Sequence, residues 1–163
     1  MRRSLLVLAL PLLILSACVD GASGGGRDGA AGQTGALLRV DTAGFTDVVG
    51  FHFSIDRVAC DAAEAFHPLR IEADVDLLDM ALPGDFELRA HSFDEESDAL
   101  AADLFVSLPP GCYEVAAYPA RDFPASGWLP SLDCAPAPAA AAAVEDGATA
   151  ELLLISQCAA DEG

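Results

Sequence analysis

The chain has 163 residues, with 26 Asp and Glu against eight Lys and Arg, for a formal net charge of −18 at pH 7. All eight cations are arginine, and neither lysine nor asparagine occurs. So acidic a surface offers no basic stripe to neutralise phosphates, which excludes nucleic acid as a partner, and an anionic lipid surface would repel it.

At the N-terminus, Arg2 and Arg3 precede an apolar run from Leu5 to Leu15, and Leu15-Ser16-Ala17-Cys18 closes it with small residues. The run is shorter than the roughly 20 residues a membrane helix needs, and its flanks are those of a cleaved signal peptide over residues 1–17. The Leu-Ser-Ala-Cys box resembles the lipobox of bacterial lipoproteins. That resemblance implies that Cys18 receives a diacylglyceryl group on sulfur before cleavage and an acyl group on nitrogen afterwards. At ~0.8 kcal/mol per buried methylene, two or three chains hold a protein to a membrane permanently. Val19 follows Cys18, where enteric inner-membrane retention takes Asp, so the expected location is the outer membrane. Cleavage leaves six arginines against 26 acids, a net charge of −20.

Residues 18–35 form a tether of Gly, Ala, Ser, Asp and Thr. Within it, Gly21 to Gly25 matches G-x-S-x-G and Gly24 to Gly29 matches G-x-G-x-x-G. Both motifs need a strand before and a helix after, so here they are linker glycines. From Ala36 the period becomes two. A short strand spans Ala36 to Asp41. Val49, Phe51, Phe53 and Ile55 then alternate with polar residues toward Cys60, and Leu69 to Leu77 alternates in the same way. Phe86, Leu88 and Ala90 make a strand after Pro83-Gly84. Leu100 to Leu108 reads as a strand, although Ser97-Asp98-Ala99-Leu100 also resembles a helix start. Tyr113 to Tyr118 follows the Pro109-Pro110-Gly111 turn, with Tyr113, Val115 and Ala117 on one face. Ala135 to Ala143 is expected to be a surface loop. The unbroken apolar run Leu152 to Ile155, within Ala150 to Ser156, reads as a strand covered on both faces. The expectation is one all-β domain over residues 36–158 with a tail at 159–163. It is an antiparallel Greek-key β-sandwich of about seven strands.

The stretch ADLFVSLPPGCYEVAAYP, Ala102 to Pro119, with Val144, Gly147 and Thr149 later, resembles the carboxypeptidase regulatory-like, or prealbumin-like, β-sandwich. The resemblance implies an Ig-like or prealbumin-like sandwich in which Tyr113 and Val115 point inward behind a tight turn. It implies nothing about activity. The whole chain also resembles small lipoproteins of high-GC Gram-negative bacteria that end in L-L-I-S-Q-C, which implies location and disulfides.

With Cys18 lipidated, Cys60, Cys112, Cys134 and Cys158 remain, an even number that suggests two disulfides with three connectivities open. The expected pairs are Cys112–Cys134, closing one edge, and Cys60–Cys158, tying the second strand to the last. No C-x-x-C pair supports zinc, and no cofactor is expected. His52, His67 and His91 lack ligand spacing and read as isolated surface histidines. The acidic loop Asp94-Glu95-Glu96-Ser97-Asp98 lacks the spacing and glycine of an EF-hand, and reads as a solvated turn before a weak calcium site. Ser54 has no histidine placed beside it by sequence, so no catalytic residue is assigned.

One segment carries distinctive binding chemistry, Arg121 to Asp133, with Phe123, Trp128 and Leu129 among Pro and Gly. Two roles are open for its sole tryptophan: a recognition loop for an envelope protein or glycan, or a plug over the open end of the sandwich. The expected function is a non-catalytic, membrane-anchored binding or structural module. The alternative is an accessory subunit of an envelope transporter, secretion or enzyme complex.

Overall fold

The computed structural model describes residues 32–43, 47–61, 67–94 and 99–159. The signal peptide, Cys18, the two glycine motifs and the side chains of the acidic loop from Asp94 to Asp98 lie outside these.

The described chain is all β, in two sheets. The first strand, β1 (Gly35–Ala43), buries Ala36, Leu38, Val40 and Thr42 and turns the residues between them outward. β2 (Gly50–Val58) and β3 (Arg70–Asp76) follow, then β4 (Phe86–Asp94) and β5 (Ala99–Ser107). β6 (Gly111–Asp122) is the longest, and the short β7 (Leu129–Pro130) and β8 (Ala140–Val144) both pair with it. β9 (Thr149–Gln157) is last. One sheet has the order β4-β5-β1-β9, and the other the order β3-β2-β6-β7 with β8 also on β6.

Period-two alternation decides which face each strand buries, because successive side chains point to opposite sides of a sheet. Phe51, Phe53 and Ile55 of β2 and Tyr113, Val115 and Ala117 of β6 face Leu38, Val40, Leu104 and Leu154 of the other sheet in one core. Phe53 meets Phe86 across the gap, with ring centroids 5.5 Å apart. Each such fully buried apolar side chain contributes about 1.5–3 kcal/mol. The Tyr113 hydroxyl donates to the Pro109 carbonyl at 2.7 Å, tying β6 to the Pro-Pro-Gly turn before it. Thr42, also buried, donates to the Leu100 carbonyl and accepts from the Leu100 amide, joining β1 to β5.

Four expectations are corrected. β1 and β9 pair in parallel, so the arrangement is not purely antiparallel; the chain leaves β1 for the opposite sheet and returns only at the end. The apolar run in β9 is not covered on both faces: Leu152 and Leu154 are buried, but Leu153 is 62 % exposed, because β9 is an outer strand of its sheet. Ala140–Val144 is a strand rather than loop, with Ala142 and Val144 filling the core beside β6. The disulfides are Cys60–Cys112 and Cys134–Cys158. Register explains them. Val58 lies opposite Cys112 on the β2–β6 ladder, two residues before Cys60, while Cys134 and Cys158 face each other across an isolated antiparallel bridge.

The ladders also give the domain two distinguishable ends. Gly35 pairs with Ser107 and Thr149, and Gly147 donates to the Thr34 hydroxyl, so whatever precedes Gly32 joins the domain here. At the far end, Cys158 donates to the Ala43 carbonyl, and Gly50 pairs with Asp76 and Ala120. Eight steps of β1 separate these ends, about 26 Å at the usual rise.

Candidate functional site

The outward faces of β2, β3 and β6 form a polar grid. Asp74, His52 and Tyr118 make one row, Glu72, Ser54 and Ala116 the next, and Arg70, Asp56 and Glu114 the third. In the row toward the far end the middle place belongs to Gly50, which has no side chain to fill it. Residues 123–128 fold back over this grid. The Phe123 ring takes the space above Gly50, where a Cβ would come within 2.8 Å of it. The chain then turns on a Gly127 amide that donates to the Pro124 carbonyl at 2.9 Å. Gly127 has φ +135°, a conformation open to glycine and costly for other residues. That turn lays Trp128 flat on His52, with ring centroids 4.6 Å apart and planes 9° from parallel, while the Tyr118 ring lies 5.8 Å from the indole.

His52 is therefore not an isolated surface histidine. Its side chain is 15 % exposed, and both ring nitrogens are engaged: Nδ1 is 2.7 Å from Asp74 Oδ1 and Nε2 is 2.8 Å from Glu72 Oε2. The other Glu72 oxygen accepts from Arg70 Nε at 2.6 Å and from the Ser54 hydroxyl. Burial pushes the Glu72 carboxyl upward, but the hydrogen bonds and charges of Arg70 and His52 prevail and hold it below its ordinary value. The Ser54 hydroxyl is likewise occupied, by Glu72, Asp56 and Arg70. His67 and His91 are exposed, as expected. Among the described residues, no three His, Cys, Asp or Glu side chains are arranged to hold a metal ion.

Trp128 is not a plug over the open end of the sandwich. It lies on the outer face of the five-stranded sheet, half-buried and outside the core. Nor do Cys112 and Cys134 hold the segment's ends. Beyond β7 it is fixed by Ser131, whose hydroxyl donates to the Asp47 carboxylate and accepts from the amides of Asp133 and Cys134. The Leu132 amide donates to the other Asp47 oxygen at 3.1 Å.

With its backbone so held, the segment exposes Leu129 and leaves Leu132 73 % exposed. Across the same end, the turn after β3 exposes Leu78 and Met80, its backbone capped by Asp76 through the amides of Leu78 and Asp79. Phe123, above Gly50, lies between the two groups. Sequence reasoning singled out Phe123, Trp128 and Leu129 but missed His52, Tyr118, Glu72 and Asp74. Only the placement of His52 on the polar side of its strand hinted at them.

Neither a scan against models of known protein families nor a search of curated proteins finds a match for this chain.

Proposed function

We propose that this protein is an exported lipoprotein anchored through Cys18, most fittingly in the outer membrane, and that its domain is a non-catalytic module docking another envelope protein. In this reading the fold is a Greek-key sandwich of the Ig-like or prealbumin-like kind. One observation carries the functional reading: the exposed apolar residues Leu78, Met80, Leu129 and Leu132 gather at the end of the domain opposite the one where the N-terminal chain enters. A lipid at Cys18 would leave that end facing away from the bilayer.

The patch has an acidic border of Asp79, Asp122 and Asp133. An apolar centre inside charged residues is the anatomy of a protein interface, and here it suits a partner with an apolar centre and a basic rim. A second copy would bring the same acidic rim against itself.

The test is site-specific photocrosslinking in living cells of the native host, with the probe at Leu132 or Leu78 and, as control, at Gly147 on the entry end. The expected result is one adduct of defined mass from the far-end positions only, lost in Cys18→Ser together with palmitate labelling and membrane fractionation. Adducts from Gly147 alone, or lipid labelling that survives in Cys18→Ser, would refute the proposal.

A further inference from the structure

The His52–Trp128 stack sits between the protein's body and the segment that presents Leu129 and Leu132. We propose that it is a proton-operated latch: His52 holds Trp128 down while its ring carries two protons and releases it when one is lost.

The geometry leads there directly. An imidazole bonded to a carboxylate at each nitrogen donates twice, and only the doubly protonated ring has two N–H groups to give. That ring is a cation lying flat under an indole face, where the aromatic quadrupole attracts it. The groups facing His52 are few. From β3 come Glu72 and Asp74, with Arg70 beyond Glu72; from its own strand, Ser54 and Asp56; from β6, the Tyr118 ring, 5.9 Å away; from above, Trp128. The ring's immediate charged neighbours are thus two carboxylates, and the single guanidinium is turned to Glu72.

Loss of one proton turns a lone pair toward a carboxylate oxygen less than 3 Å away. Glu72 already has Arg70 to bond, so the neutral ring keeps Nδ1–H on Asp74 and gives up Glu72. The cationic half of the stack disappears in the same step. Trp128 then keeps only its apolar contacts with His52 and Tyr118, and the ratio of stacked to released tryptophan falls about tenfold, the scale of one partly desolvated cation–π contact. Residues 123–132 loosen, and Leu129 and Leu132 lose the fixed backbone that sets their place at the far end. Histidine is the side chain that changes charge between about pH 5 and 8, so the latch would work in the range an envelope protein meets. Its consequence for docking rests on the function proposed above; the latch itself does not.

The experiment uses the full-length, detergent-solubilised protein. Trp128 is the sole tryptophan, so emission and acrylamide quenching report on it alone. Raising the pH from about 5 to 8 should shift emission to the red and increase quenching in one step, at the midpoint where the His52 ring protons titrate by NMR. His52→Gln should abolish the step. Asp74→Asn, which keeps an acceptor but removes a charge, should move the midpoint to lower pH. Flat emission while His52 titrates, a step that survives in His52→Gln, or a midpoint unmoved in Asp74→Asn would each overturn the latch. Should His52→Gln not fold, the Asp74→Asn midpoint decides. The emission is read without a partner, so its failure leaves the docking proposal standing. Conversely, absence of far-end crosslinks at every pH removes the docking proposal and leaves the latch.

Discussion

Truncating Trp128 to alanine separates a side chain that merely covers a sheet from one that fills a core. A fully buried tryptophan removes about 150–250 Å² from water, and Trp128 is half-buried, so roughly 100 Å² is at stake. At about 25 cal/mol per Å² that area is worth about 2.5 kcal/mol. Stacking on His52 adds about 0.5–1 kcal/mol at the proton-rich end of the range. Unfolded chains already bury some of this area, which trims the total to about 2–3 kcal/mol. No cavity penalty applies, because the space left on an outer face opens to water. Phe53, fully buried at the heart of the core, sets the contrast: Phe53→Ala should cost about 3–5 kcal/mol. The assay is urea unfolding followed by far-UV circular dichroism, since Trp128→Ala removes the only tryptophan signal, and both variants should keep the wild-type slope. A loss below about 0.5 kcal/mol would mean that the stack does not form in solution, and a loss equal to that of Phe53→Ala would put Trp128 in the core after all. A double-mutant cycle with His52→Ala should return about 1 kcal/mol of coupling, and none if the two rings do not touch.

Two further outcomes follow from the body of the domain. Burial raises the Tyr113 hydroxyl above its ordinary value, against a smaller opposing pull from the Arg57 charge. The folded state therefore holds that proton longer than the unfolded chain, and the associated stability is full below the unfolded tyrosine value of about 10 and is lost as pH climbs through the raised one. Tyr113→Phe should cost about 1 kcal/mol at neutral pH and flatten the alkaline limb of stability against pH; an unchanged limb would show that another group governs it. Non-reducing peptide maps should recover Cys60 joined to Cys112 and Cys134 joined to Cys158, and loop-closure entropy for separations of 52 and 24 residues makes them worth about 4 and 3.5 kcal/mol. Recovery of Cys112 joined to Cys134 would contradict the register of β6.

The strands were legible because half-burial writes itself into sequence as alternation. Phe51, Phe53 and Ile55, or Tyr113, Val115 and Ala117, need only their own neighbours to declare which way they face. Partners are another matter. Parallel pairing of β1 with β9 joins the two ends of the domain, and no local pattern distinguishes it from an antiparallel neighbour. The run Leu152 to Ile155 misled for a related reason: a strand at a sheet's outer edge can carry an exposed leucine that a central strand of the same composition would bury. Cysteine pairing inherits the difficulty, because it follows the ladders, and the ladders are not local. Ala140–Val144 escaped notice because alanines alternate invisibly.

The outer-face site was hidden by a stricter version of the same limit. His52, Glu72, Asp74 and Tyr118 sit on three strands, and each looks by itself like the solvated side of a half-buried sheet. What makes them a site is the neighbour each receives across the ladder and the segment that returns to cover them. Gly50 shows how little of this reaches the sequence. In isolation it is a weak residue in a strand, yet its missing side chain is the vacancy that Phe123 occupies, and Phe123 sets the path that carries Trp128 to His52. The exposed leucines beyond β7 depend in turn on that path and on the Asp47–Ser131 contact. The physical order thus runs from a glycine in β2, through two aromatic rings, to the apolar end of the domain. Each step is a contact between residues far apart in the chain.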